Sequence, residues 1–284
     1  MANLKEIRNR ISSVSSTMQI TSAMKMVSAA KLKKAQNAIT AMRPYSNKLT
    51  EILLNLSSSI GDDNKYAQKR QAKKILIVSI TSNRGLCGGF NSNIFKKSTE
   101  LANSVYNDSE VSFVAIGKKG NDFLQKSFNV ESNHIDIFDN LNMSSVSTIA
   151  ESLMLKFVNE EFDKIDIVYN KFKNAATQVV VNEQFLPISD MEDNKNNNTD
   201  YIFEPSKTEI IEELIPKSLK NQLFKAIRDS WASEHGARMT AMHKATDNAT
   251  ELRDDLKLAY NQARQAAITN EILEIVGGAE ALNN

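Results

Sequence analysis

The sequence predicts an α/β fold joined to a long antiparallel coiled coil, and three observations lead there. Apolar residues near the N-terminus recur at heptad spacing. The middle of the chain alternates short aliphatic runs with helical segments. The last block, from Lys217 to Val276, holds one glycine, Gly236, and no proline. Alternating strands and helices give a largely parallel sheet with helices on its faces, a Rossmann-like arrangement. The economical partner for each helical end is the other, so the N- and C-terminal helices are expected to pair into a shaft.

The first block reads as a helix because Leu4, Ile7, Ile11, Val14 and Met18 step by three and four. The apolar row then moves to Ile20, Met24 and Val27 and resumes at Ala35, Ala38 and Met42, which predicts a stutter near Met18. Pro44 is expected to kink a continuing helix. Residues 57–74 are polar and read as a connector.

In the middle block, 73–81 (KKILIVSIT) is a buried strand and 90–107 an amphipathic helix. A second strand follows at 111–117, a short helix at 118–128, and a third strand is expected at 134–138 (HIDIF). A helix spans 143–162, and strands follow at 164–172 and 177–188, close enough in sequence to pair as an antiparallel edge. Residues 189–201 are polar. Ser206 and Glu209 form a capping-box pattern after Pro205. In the last block Leu252, Leu256, Ala259, Ala263 and Ala266 form a second heptad row. A continuous helix from Lys217 to Val276 would be about 90 Å long at 1.5 Å per residue. Its last turns carry Ile268, Ile272, Leu273, Ile275 and Val276. Such an apolar tip calls for a sheath from another protein. The expected domains are 1–60 and 205–284, paired as a coiled coil, and 73–190 as the α/β domain.

With 284 residues, 41% of them hydrophobic and 24% charged, the composition is that of a soluble protein. No apolar run is long enough to span a bilayer, and the N-terminus has no signal-peptide pattern. Cys87 is the single cysteine, which excludes an internal disulfide. The net charge of +1 is uneven. Residues 1–43 carry eight Lys and Arg against Glu6 alone, so they sum to +7 and leave −6 for the rest. The first segment is therefore expected to face something acidic, whether nucleic acid, anionic lipid or protein, unless it is a plain solvated face.

The stretch TSNRGLCGG, Thr81 to Gly89, has the strand–loop–helix context of a phosphate site without its chemistry. It has no G-x-x-x-x-G-K-[ST] and no G-x-G-x-x-G. Gly85, Gly88 and Gly89 are expected to serve a tight turn and close packing against a neighbouring helix. Cys87 has no histidine at a motif spacing, and His235 and His243 are eight apart rather than four. Ser233, Glu234 and His235 are neighbours on a helix and point apart. No metal, cofactor or catalytic group is expected. Arg264 and Gln265 lie off the second heptad row or at its edge, on a solvated face or against the sheath.

Three stretches carry a resemblance. KEIRNRISSVSSTMQITSAMKMVSAAKLKKAQ, TSNRGLCGGFNSN and SEHGARMTAMHKATDNATELRDDLKLAYNQARQAAITNEILEIVGGAEAL resemble the γ subunit of F-type ATP synthases of the bacterial type, over essentially the whole chain. Asn83, Gly236 and His243 depart from that family's usual residues, and Gly236 is expected to soften the long helix by about 1 kcal/mol relative to alanine. The resemblance implies a non-catalytic central-stalk rotor that couples ion flow to ATP synthesis by rotation inside an α3β3 hexamer. Its implied partners are the α and β subunits, the ε subunit and the c-ring. No nucleic acid is implied, and the membrane is met only through partners, on the cytoplasmic face of the bacterial plasma membrane. Met24 and Lys25 are the implied contacts to an acidic loop of β, Arg264 and Gln265 polar catches against β, and Arg84 a further partner contact. Two rivals are a nucleotide hydrolase using the 81–89 loop and a coiled-coil adaptor with a nucleotide-binding α/β domain.

Overall fold

The computed structural model describes residues 4–56, 64–188 and 207–283. The capping-box pair Ser206 and Glu209 and the polar stretch 189–201 lie outside the described residues or side chains, as does part of the 57–74 connector. The chain forms two compact units, one drawn from Met1–Ser28 and Met239–Asn284, the other from Ala29–Arg238.

The larger unit is built on a five-stranded sheet in the order β3-β2-β1-β4-β5. The strands are β1 (Lys74–Ile80), β2 (Glu110–Ile116), β3 (Asn129–His134), β4 (Lys164–Phe172) and β5 (Gln178–Leu186). Strands β1 to β4 run parallel, and β5 pairs antiparallel with β4 at the edge. The period-2 alternation of each strand separates two apolar layers. Leu76, Val78, Ile80, Ile165 and Ile167 face helix α4 (Met143–Val158) and helix α5 (Lys207–Asn283), meeting Phe157 and Leu223. Ile75, Ile77, Phe113 and Val168 face α2 (Phe90–Glu100) and α3 (Lys118–Leu124), meeting Ile94 and Leu124. A π-helical turn, Leu101–Val105, ends α2 and brings Tyr106 over the sheet. The Tyr106 hydroxyl donates to Asp166, a fully buried carboxylate. Burial and the adjacent carboxylate both push the Tyr106 hydroxyl pKa upward.

The expected strand at 134–138 is displaced. The strand is 129–134, and Asp136–Phe138 is a 3-10 turn. The I-D-I alternation looked like a strand, yet Ile137 reaches the core from that turn. The true edge strand carries one apolar residue, Val130, so its own pattern was silent.

Both terminal helices are continuous through their prolines. Helix α1 is Leu4–Leu56 with Pro44 inside, and α5 is Lys207–Asn283 with Pro216 inside.

In the smaller unit the two chain ends pair, but not in the expected register. The α1 row passes from Met18 to Thr21 and Ser28, both buried, while Ile20 and Val27 are 60% and 57% exposed. No stutter exists: Leu4, Ile7, Ile11, Val14, Met18, Thr21, Lys25 and Ser28 are one unbroken heptad row. On α5 the inward row is Met242, Thr246, Ala249, Arg253, Leu256, Tyr260 and Ala263, whereas Leu252, Ala259 and Ala266 are exposed. The reason is polar pairing. The Thr246 hydroxyl lies 2.8 Å from that of Thr21 and also donates to the Met242 carbonyl one turn back at 2.8 Å. Thr250 and Arg253 approach the Met18 sulfur at 3.4 and 3.5 Å. Arg8 donates to the Tyr260 hydroxyl at 2.7 Å. A hydroxyl that bonds both its own turn and the facing helix is satisfied inside the seam, so a polar row packs as well as an apolar one.

Candidate functional site

The loop after β1 lies at the carboxyl end of a strand whose neighbours, β2 and β4, take the chain in opposite directions. This is the topological switch point, the place where open α/β sheets receive ligands. Here α5 fills it. Arg238 donates to the carbonyl of Arg84 at 2.9 Å and of Gly85 at 3.3 Å. Ser233 donates to the carbonyl of Asn170, at the end of β4, at 2.9 Å. Asn170 in turn donates to the carbonyl of Phe90 at 3.1 Å. Cys87, Phe90 and Ala237 form a small apolar cluster beneath the loop.

The polar side chains of Thr81, Ser82, Asn83 and Asn91 are committed to the fold. Asn91 accepts from the Ser82 amide at 3.0 Å and donates to the Ser82 hydroxyl at 2.8 Å. Asn83 bridges outward, donating to the Ile135 carbonyl and accepting from the Lys118 amide, both at 2.9 Å. Thr81 accepts from the Gly120 amide at 2.8 Å. A Cβ on Gly120 would lie 2.7 Å from the Thr81 hydroxyl, so that approach requires glycine.

The three loop glycines divide. Gly88 has φ +58°, a left-handed turn that glycine adopts without strain. Gly85 has open space where a Cβ would stand, and Gly89 begins α2 with only the Asn93 side chain nearby. The expected close packing is therefore not made by Gly85 or Gly89, because the loop meets α5 through its carbonyls. The glycine that α5 needs is Gly236. A Cβ there would lie 3.1 Å from the Ala175 carbonyl in the β4–β5 turn. Its role is close approach between helix and turn rather than softening.

Three ionisable side chains of α5 are buried at this plug. Glu234 pairs with Arg238 at 2.7 Å. Burial pushes the Glu234 carboxyl upward, opposed by Arg238, Lys31 and Arg84. His235 is 4% exposed, stacks edge-on against Trp231, and its Nε2 has no partner among the described residues. Burial, then the charges of Arg238 and Lys31, lower its pKa to about 3. It is therefore neutral at physiological pH. Burial likewise raises the Cys87 thiol, which makes it a poor nucleophile.

Ser233 and His235 are thus packing groups, and no relay joins them. Among the described residues no cluster of His, Cys, Asp or Glu is able to hold a metal ion. Of the expected contact residues, Met24 and Lys25 are half-buried in the two-helix unit, and Lys25 Nζ lies 3.4 Å from His243 Nδ1. Arg84, Arg264 and Gln265 are exposed. Within the two-helix unit the structure thus brings Lys25 to His243. Missed altogether were Arg238, its pairing with Glu234 and the polar seam. The i,i+4 spacing of Glu234 and Arg238 was a signal; their meeting with the loop was not visible in the sequence.

The fold and site define a protein whose α/β unit holds its own long helix at the place where relatives of the fold hold a ligand. A model of the ATP synthase family, described as ATP synthase, matches residues 3–282. The chain is 63% identical to the ATP synthase gamma chain of Christiangramia forsetii and 65% identical to that of Flavobacterium johnsoniae, over the full length of each. It belongs to the family of ATP synthase γ chains, bacterial type. A chain from the central stalk and c-ring of the Tetrahymena thermophila mitochondrial ATP synthase is similar in structure, with TM-score 0.62 and 28% identity, covering 80% of this chain and 99% of that one. A chain from the Euglena gracilis mitochondrial enzyme shares the fold, with TM-score 0.70 and 23% identity, covering 98% of this chain and 94% of that one.

Proposed function

We propose that this chain is the central-stalk rotor subunit of an ATP synthase, coupling ion flow through the membrane sector to ATP synthesis by rotation, and not catalytic by itself. The observation that carries this reading is the family match along the whole chain, at residues 3–282. The geometry agrees with it. Ile268, Ile272, Leu273, Ile275 and Val276 are 49–67% exposed on α5, a row that an enclosing partner would cover. The partners are α and β subunits as an α3β3 hexamer, the ε subunit and the c-ring, on the cytoplasmic face of the membrane. No helix among the described residues is long and apolar enough to cross a membrane itself. Exposed basic residues on α1, among them Lys31, Lys33 and Lys34, suit an acidic partner surface.

Rotation works by differential contact. A lopsided shaft shows each β subunit a different face, and a partner is biased only as far as its contacts differ between states. Moving a two-state equilibrium from 1:99 to 99:1 takes about 5.5 kcal/mol. One exposed ion pair gives about 0–1 kcal/mol, so many contacts share the work. Met24, Lys25, Arg84, Arg264 and Gln265 are proposed among them. Co-expression with the α and β subunits and the rest of the complex, membrane sector included, tests the reading. The expected result is a complex in which ATP hydrolysis drives ion pumping, with Arg264→Ala lowering that coupling while the α/β unit stays folded. A chain that binds neither subunit, or that hydrolyses ATP alone, would refute it.

A further inference from the structure

Arg238 is 6% exposed and spreads its guanidinium over a carboxylate and two carbonyls, with Nη1 also 3.5 Å from His235 Nδ1. Nη1 donates to Glu234 at 2.7 Å, and Nη2 to the Arg84 carbonyl at 2.9 Å. Both Nε and Nη2 reach the Gly85 carbonyl at 3.3 Å. The residue that follows, Leu86, has φ +61° although it carries a side chain, and that side chain is 64% exposed. Its own packing therefore does not hold it in the left-handed region. The restraint comes from either side: Gly85 is tied to Arg238, and Cys87, 2% exposed, is clustered with Phe90 of α2 and Ala237 of α5. A non-glycine residue stays in that region only where its surroundings over-determine it.

We propose that Arg238 is a positioning residue that locks α5 to the loop after β1, so that loop and helix move as one body under torque. The clause about torque rests on the rotor reading above; the lock does not. A planar fork meets two adjacent carbonyls and a carboxylate at once, which a lysine ammonium cannot reproduce. Arg238→Lys keeps the charge beside Glu234 and removes the fork, so a merely charge-balancing role predicts rescue and the lock predicts none.

Cys87 is the only cysteine of the chain and lies under the loop, so its thiol reports opening of the lock. In the purified full chain, the alkylation rate of Cys87, read by mass spectrometry, is expected to rise at least tenfold in Arg238→Lys, with far-ultraviolet dichroism unchanged. In the assembled enzyme, the ratio of ATP-driven ion pumping to ATP hydrolysis is expected to fall at least threefold. If Arg238→Lys does not fold, Arg238→Gln with Glu234→Gln removes the fork without leaving a buried charge, and the same readings apply. An unchanged thiol rate overturns the lock. A faster thiol with an unchanged pumping ratio overturns its part in torque. A wild-type complex that does not couple at all counts against the rotor reading alone, and the thiol rate still decides the lock.

Discussion

The two units of this chain are stabilised in different ways. In the sheet unit, side chains such as Ile75, Leu76, Phe113, Phe157 and Leu223 are fully buried between strands and helices. Each such burial contributes about 1.5–3 kcal/mol relative to exposure. In the two-helix unit the buried residues include Ile7, Thr21, Ser28, Met242 and Ala249, and large apolar residues such as Ile20, Val27, Leu252 and Leu258 face outward. One unit is closed on its own core. The other spends its seam on hydroxyls and arginines and keeps apolar side chains outside. A surface so arranged suits the rotor reading proposed above, in which an enclosing partner would cover outward apolar side chains.

The largest expected effect contrasts the two interiors. Phe157→Ala should cost about 3–5 kcal/mol in the urea unfolding of the sheet unit, and Ile7→Ala only about 2 kcal/mol, because a thin seam collapses around the gap. Equal losses would erase the distinction drawn here.

Acid should single out the sheet unit. The folded-state pKa of His235, about 3, lies below the ordinary 6.5. The unfolded chain therefore binds that proton more tightly. The contribution is whole above pH 6.5 and is lost as pH falls toward 3, by about 1.4 kcal/mol per pH unit. Between pH 7 and pH 5 the wild type should lose about 2 kcal/mol more than His235→Gln, read from urea midpoints at both pH values. Parallel pH profiles would mean that the imidazole gains a proton without cost.

The polar seam is tested next. Thr21→Val and Thr246→Val should each destabilise the paired helices by about 1 kcal/mol, by leaving the other hydroxyl without its cross-helix partner. The double change should cost less than the two together, because both partners are then apolar. Thermal melts followed by helical dichroism measure this. Strict additivity would mean that the 2.8 Å contact carries no energy.

The smallest effect is a change of sign. Gly277 lies in a helix with open space around a new Cβ, so Gly277→Ala should stabilise helix by up to about 1 kcal/mol. Gly236→Ala should destabilise. Its Cβ would press on Ala175, in a turn already closed by paired Asn174–Thr177 backbone bonds and by the Asn174 side chain. Local helix dichroism and global midpoints separate the two. Stabilisation at both positions would show that the β4–β5 turn yields.

Much of the fold was legible because periodicity reports which side chains seek an apolar neighbour. β1, β2, β4 and β5 fell where their aliphatic runs placed them, and the antiparallel edge followed from the short link between β4 and β5. β3 escaped because an edge strand with one apolar residue has no period to read. The heptad rows were followed onto Ile20, Val27, Leu252 and Ala259 because apolarity was the guide, although the three-and-four step from Met18 leads to Thr21.

By itself the sequence determined the class of most elements, the uneven charge and the family, since all three are written in composition, spacing and motif. Only the tertiary structure decided that Thr21 meets Thr246, that Gly236 fits beneath Ala175, and that Arg238 grips the carbonyls of Arg84 and Gly85. The physical reason is distance along the chain. A hydrogen bond between residues 84 and 238 leaves no period in either segment, because its partner is chosen by folding and not by neighbours in the sequence.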